Sequence, residues 1–181
     1  MDEKITYELD AQDRLIYVSP SWESFAINND ANELTLSAIK GRPLFEFIVD
    51  PETREIYRML LKQVRSSSES LSFKIRCDSP SQMRLLQLVV ASPDNENVVI
   101  DSNLLQSMPQ NSGPLLERRV DRSGELLRIC SWCLRSKVGS EWLNPAETAQ
   151  SLGLFESSPV PKLTHGMCED CFKEATSIGT G

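Results

Sequence analysis

The chain has no apolar run long enough to cross a bilayer. Its longest stretches, such as LLQLVVA at 85–91, fall far short of the ~20 residues a spanning helix needs. The opening MDEKITYELD has no basic segment leading into an apolar one, so no secretory signal is read and no membrane role is expected. A reducing, cytoplasmic setting is therefore expected, in which stable disulfides are rare. Positive charge is also short: 19 Lys and Arg stand against 26 Asp and Glu, a net −7. Such a surface does not suit a nucleic-acid backbone, and no nucleic-acid partner is expected. Histidine is almost missing, with His165 the only one. There is no P-loop glycine run, no histidine-kinase or cyclase motif and no other catalytic constellation, so a non-enzymatic protein is expected. Internal repeats and low-complexity tracts are absent as well.

What remains is an ordinary globular composition, 40% hydrophobic, with cysteine used in an unusual way. Four of the five cysteines form two C-x-x-C pairs, Cys130/Cys133 and Cys168/Cys171, with His165 three residues before the second pair. Two residues between ligands allow a tight knuckle to turn both sulfurs toward one ion at about 2.3 Å, and two such pairs complete a tetrahedron. CEDCFKEA reads as a helix start at the second pair, where free backbone N–H groups favour thiolates. Arg128, Arg135, Lys137 and Lys173 lie close in sequence to ligand positions and would offset the thiolate charge. The pattern predicts a structural zinc site of Cys130, Cys133, Cys168 and Cys171, with His165 as an alternative ligand or a neighbour of one. A thiol switch is the leading rival. A catalytic zinc would need an open position, which four thiolates close.

Along the chain, ITYELDAQDRLIYVS reads as two strands about a polar turn. SWESFAINN is a helical stretch after Pro20, and LSAIKGRPLFEFIVD a connector with Gly41 as a stop. PETREIYRMLLKQVRSS is the clearest helix: Asp50 as cap, Pro51 in the first turn, and an apolar stripe of Ile56, Met59, Leu60 and Val64. SLSFKIRC alternates, with Leu71, Phe73, Ile75 and Cys77 on one face. MRLLQLVVAS and VVIDSNLL supply two more strands. Strands, then helices, then strands in hairpin succession indicate an α+β fold with an antiparallel sheet. From Gln106 to Glu125 the text turns rich in Pro, Gly, Ser and charge. The expected organisation is a domain over 1–107, a linker over 108–125 with LLERRVDR a short helix, and a cysteine-rich module over 126–181. Trp142, Leu143, Leu152, Leu154 and Phe155 are the expected core of that module. Arg118, Arg119 and Arg122 alternate with acids and read as a solvated face.

The element order, with Tyr17-Val18-Ser19-Pro20 and Gly41-Arg42-Pro43, resembles a PAS sensor domain over roughly 1–107. The resemblance implies a five-stranded antiparallel sheet with helices over one face and room for a small ligand between them. Phe25, Phe45, Phe47, Tyr57 and Phe73 are candidates to line such a cavity, although plain core is the commoner use of such residues. The axial histidine of haem-binding members and the Asn-Cys-Arg motif of flavin light sensors have no counterpart before residue 107, so neither haem nor flavin is indicated. Cys77 reads as a buried, inert thiol. CSWCLRSKV, Trp142 and THGMCEDC resemble the cysteine-rich tail of bacterial signalling proteins, with Glu169 where proline is usual. Together these features suggest a bacterial signalling protein that binds a small ligand or a protein partner. A homodimer is expected by analogy with PAS modules.

Overall fold

The computed structural model describes residues 4–28, 31–48, 51–67, 69–117, 120–155 and 159–178. Strands β1 (Ile5–Leu9) and β2 (Leu15–Val18) form a hairpin, followed by helices α1 (Pro20–Asn28) and α2 (Leu36–Ile39), a 3-10 turn at Leu44–Glu46, and helix α3 (Pro51–Ser67). Then come β3 (Leu71–Arg76), β4 (Gln82–Ala91) and β5 (Val98–Pro109). These five strands make one antiparallel sheet in the order β2-β1-β5-β4-β3. Asp50, the expected cap of α3, lies outside the described residues.

The alternation read from the sequence decides which face is covered. Leu9, Val18, Phe73, Leu88, Val90, Val98 and Ile100 are buried on one side of the sheet. Helix α3 lays Ile56, Leu60, Leu61 and Val64 onto that side, because residues three and four apart share a helix face. Arg65 near its end ties two turns to the helix, the β1–β2 turn and the β4–β5 turn. Its guanidinium donates to the Asp10 and Glu96 carbonyls at 2.9 and 2.8 Å and pairs with Asp13 at 2.8 Å. Gly41 takes a φ of +79°, open to glycine at little cost. Its N–H donates to the Leu15 carbonyl at 2.7 Å while Leu15 N–H donates to Arg42, so the G-R-P connector docks on β2.

The later part of the chain holds more regular structure than its sequence suggests. Met108 and Pro109 close β5, a 3-10 turn spans Gly113–Leu116, and β6 (Arg122–Cys130) follows. Leu115 in that turn is fully buried. Arg118 and Arg119 lie outside the described residues. A hairpin, β7 (Ser136–Val138) and β8 (Glu141–Leu143), leads to helix α4 (Pro145–Ser151), strand β9 (Val160–Gly166) and helix α5 (Glu169–Ile178). The second sheet has the order β8-β7-β6-β9, with β6 and β9 parallel. Beneath it, Leu115, Leu127, Ala149, Leu154 and Val160 form a small core. Of the expected core residues Leu154 is buried and Leu152 packs alongside, but Phe155 is 51% exposed. The strands β6 and β9 supply what Phe155 does not.

A second core residue set crosses between the two sheets. Cys130, Trp132, Met167, Cys168, Cys171 and Ala175 belong to the same buried cluster as Phe73, Ile56 and Leu60. The Trp132 ring stacks on Phe73, centroids 4.8 Å apart and planes at 25°. Arg76 N–H, at the end of edge strand β3, donates to the Trp132 carbonyl at 2.8 Å. Among the described residues, no helix is long and apolar enough to cross a membrane.

Candidate metal centre

The first knuckle forms where β6 runs out into a tight turn. Cys130 N–H donates to the Arg135 carbonyl at 2.8 Å, and Leu134 N–H returns to the Cys130 carbonyl at 2.9 Å. Leu134 adopts a φ of +60°, an uncommon conformation for a branched residue, which turns the chain back into β7. The second knuckle forms where β9 meets α5. Cys168 precedes the helix and Cys171 sits in its first turn, where backbone N–H groups and the helix dipole favour negative sulfur. The parallel pairing of β6 with β9 brings the two together: Ile129 lies opposite His165 and Cys130 opposite Gly166. Gly166 has no side chain where the Arg128 guanidinium lies, so a β-carbon there would displace that guanidinium.

The sulfurs of Cys130, Cys133, Cys168 and Cys171 all lie within 4.8 Å of one another, and Cys133 Sγ is 3.8 Å from Cys168 Sγ. None of the four is in a disulfide. A tetrahedron of thiolates about an ion at ~2.3 Å has edges of about 3.8 Å, so the donor set fits a metal of that preference. Cys130, Cys168 and Cys171 are buried and Cys133 is half-buried. His165 is exposed on β9 and stands outside the group. Four cysteines close together could hold a metal ion, and their softness suits zinc or another thiophilic metal.

Charge is unevenly shared among the sulfurs. The neighbouring Cys130 and Cys171 thiols, aided by the Arg135 guanidinium, hold Cys133 well below the ordinary thiol range. The same sharing pushes Cys171 up, since thiols sharing one small space resist ionising together. Arg135 donates from Nε to Cys133 Sγ and from Nη2 to Cys168 Sγ, each at 3.3 Å, and pairs with Asp170 at 2.9 Å. Arg135 stood out in sequence only by proximity. Asp170 and Trp132 gave no signal there, because their roles depend on strands brought together across the fold.

A second feature lies under the helices of the first sheet. An apolar cavity of about 130 Å³ is lined by Tyr7, Leu15, Trp22, Leu34, Ile39, Leu44 and Phe47. Of the five aromatic residues expected there only Phe47 takes part. Phe25 instead lines a separate cleft beside Arg84, Phe45 lies under the Arg58 guanidinium, and Phe73 is occupied by Trp132. Burial pushes the Tyr57 hydroxyl up to about 12. Trp22 Nε1 is satisfied by the Leu34 carbonyl at 2.7 Å. Cys77 is half-buried, and burial raises its thiol above the ordinary value.

Fold and cluster together define a mixed α and β protein whose five-stranded antiparallel sheet is packed against a four-thiol centre. No protein-family model matches the chain, and no curated protein matches it. Among solved structures, the PAS domain of Bordetella pertussis BvgS is similar, with a TM-score of 0.41 and 16% identity over 56% of this chain and 75% of that one. A similarity of that size is too slight to assign the chain to a family.

Proposed function

We propose that this chain is a PAS-type sensory protein of the cytoplasm that works by binding. On this reading a zinc ion held by Cys130, Cys133, Cys168 and Cys171 fastens the later part of the chain to the sensor. The observation that carries the reading is the convergence of four sulfurs within 4.8 Å of one another, packed in the core that β3 and α3 also share. Zinc supplies no reaction there. It replaces the core that a small module lacks. The apolar cavity beneath α1 and α2 is the place for a small ligand, and a protein partner or a second copy would read the result. The Trp132–Phe73 contact gives the two parts a direct route for communication besides residues 108–125.

A thiol-based redox sensor is the second reading. It is favoured by the close approach of Cys133 and Cys168 and by the ease with which Cys133 gives up its proton. Metal analysis of protein purified without chelator under reducing conditions separates the two. Zinc near one per chain, lost in Cys168→Ser, supports the structural site. Protein free of metal, with four titratable thiols in this cluster, supports the switch.

A further inference from the structure

The guanidinium of Arg135 meets the cluster in a particular way. Its Nε–H and one Nη2–H leave the same side of the planar group, in parallel. They end on Cys133 Sγ and Cys168 Sγ, one sulfur from each knuckle, both at 3.3 Å, and those sulfurs are 3.8 Å apart. The remaining Nη2–H is turned to Asp170 Oδ2 at 2.9 Å, so the fork is held from behind by the first turn of α5. Arg135 itself leaves the first knuckle, and its carbonyl accepts the Cys130 N–H that closes that turn. One side chain therefore touches both halves of the site and is anchored to both.

The chemistry of the donor set gives this contact its purpose. A doubly charged cation with four thiolates keeps two negative charges, and here three of the four cysteines are buried from water. A cation with fixed donors must supply part of what water would have given. Hydrogen bonds to a metal-bound thiolate also draw charge from the sulfur, so those two sulfurs become poorer nucleophiles than the other pair.

Resting on the zinc reading above, we propose that Arg135 is the positioning residue of the site: it clamps the two knuckles at ligand spacing and selectively shields Cys133 and Cys168 from electrophiles. Lysine cannot take its place in full. A single ammonium keeps the charge but has no planar fork to reach both sulfurs while holding Asp170.

The test uses the full chain loaded with one equivalent of zinc. Wild type, Arg135→Met, Arg135→Lys and Asp170→Asn are titrated with a chromophoric chelator and separately treated with iodoacetamide, with labelled cysteines identified by mass spectrometry. Arg135→Met is expected to lose zinc affinity by about 10–100-fold, the usual effect of removing a partner of a ligand. Its Cys133 and Cys168 should be alkylated several-fold faster while still zinc-loaded, with Cys130 and Cys171 unchanged. Arg135→Lys should fall between wild type and Arg135→Met. Asp170→Asn keeps the Arg135 side chain but weakens the carboxylate that holds its fork, at an exposed position, so it serves if Arg135→Met fails to fold, and it should show the same selectivity in weaker form. Unchanged affinity and labelling, or an equal rise at all four cysteines, would overturn the proposal while leaving the zinc site standing. A wild-type chain that takes up no zinc would instead remove the reading on which it rests.

Discussion

Replacing Trp132 by alanine should separate the four-cysteine cluster from the sheet it packs on. The indole is 3% exposed and lies flat against Phe73 at 4.8 Å. Emptying a buried aromatic site costs about 3–5 kcal/mol, and the ring pair contributes about 0.5–1.5 kcal/mol of that beyond burial. One term opposes it: among the described residues the buried Trp132 Nε1–H has no hydrogen-bond partner, a defect worth about 1–3 kcal/mol that alanine removes. A net loss of about 2 kcal/mol is expected. Trp132→Phe keeps a ring over Phe73 and removes the unpaired N–H, so its effect should stay within about 1 kcal/mol. The assay is urea unfolding of zinc-loaded protein followed by circular dichroism, since the substitution removes a fluorescent reporter. Zinc content is checked in each sample so that a lost metal is not mistaken for lost docking. Combining Trp132→Ala with Phe73→Ala should then cost less than the sum of the two, by about 1 kcal/mol. Strict additivity, or a Trp132→Ala loss below about 1 kcal/mol, would refute the idea that the first knuckle is seated in the core of the first sheet.

Three further outcomes follow from the same structure. His165→Ala should keep stoichiometric zinc in a chelator titration, because His165 is exposed and outside the cluster, whereas Ser at any of Cys130, Cys133, Cys168 or Cys171 should abolish tight binding. A chain ending at residue 107 uncovers Phe73 and the α3 face beside it. It should unfold at lower urea than the full chain and bind an apolar dye, and equal midpoints would argue that nothing docks there. Tyr7 and Tyr57 influence each other, and burial raises both hydroxyls, Tyr57 to about 12. The folded chain keeps protons that the unfolded chain releases near pH 10, so this stabilisation is complete below pH 10. It is lost as pH rises toward 12, by about 3 kcal/mol from Tyr57. Urea midpoints measured at pH 9 and 11.5 should show the fall, and Tyr57→Phe should flatten it.

The first sheet was legible because its strands alternate cleanly, as in Leu71, Phe73 and Ile75, and because Pro51 and the stripe from Ile56 to Val64 leave one reading for α3. The cysteine cluster was legible for a different reason. Two C-x-x-C pairs carry their geometry in their spacing, wherever the chain runs between them. What lay between was harder. β6 begins in RSGE, which reads as a loop until β9 pairs with it, and β9 itself has Pro161 at its second position and few apolar residues. Helix α4 did leave a local signal. Asn144 accepts from Glu147 N–H and Glu147 answers to Asn144 N–H, with Pro145 in the first turn, a capping box visible as N-P-A-E. The seating of Trp132 on Phe73 had no local signal, since it joins residues far apart in sequence. His165 adjoins the second C-x-x-C pair in sequence, and only its place on β9 sets it apart from the sulfurs.

X-ray absorption at the zinc edge, on the full chain purified without chelator, addresses the central claim most directly. Four sulfur neighbours at about 2.3 Å, with no shell of nitrogen or oxygen near 2.0–2.1 Å, are the predicted result. A nitrogen or oxygen ligand in that inner shell, or no zinc edge at all from a reduced and folded sample, would contradict the four-cysteine centre.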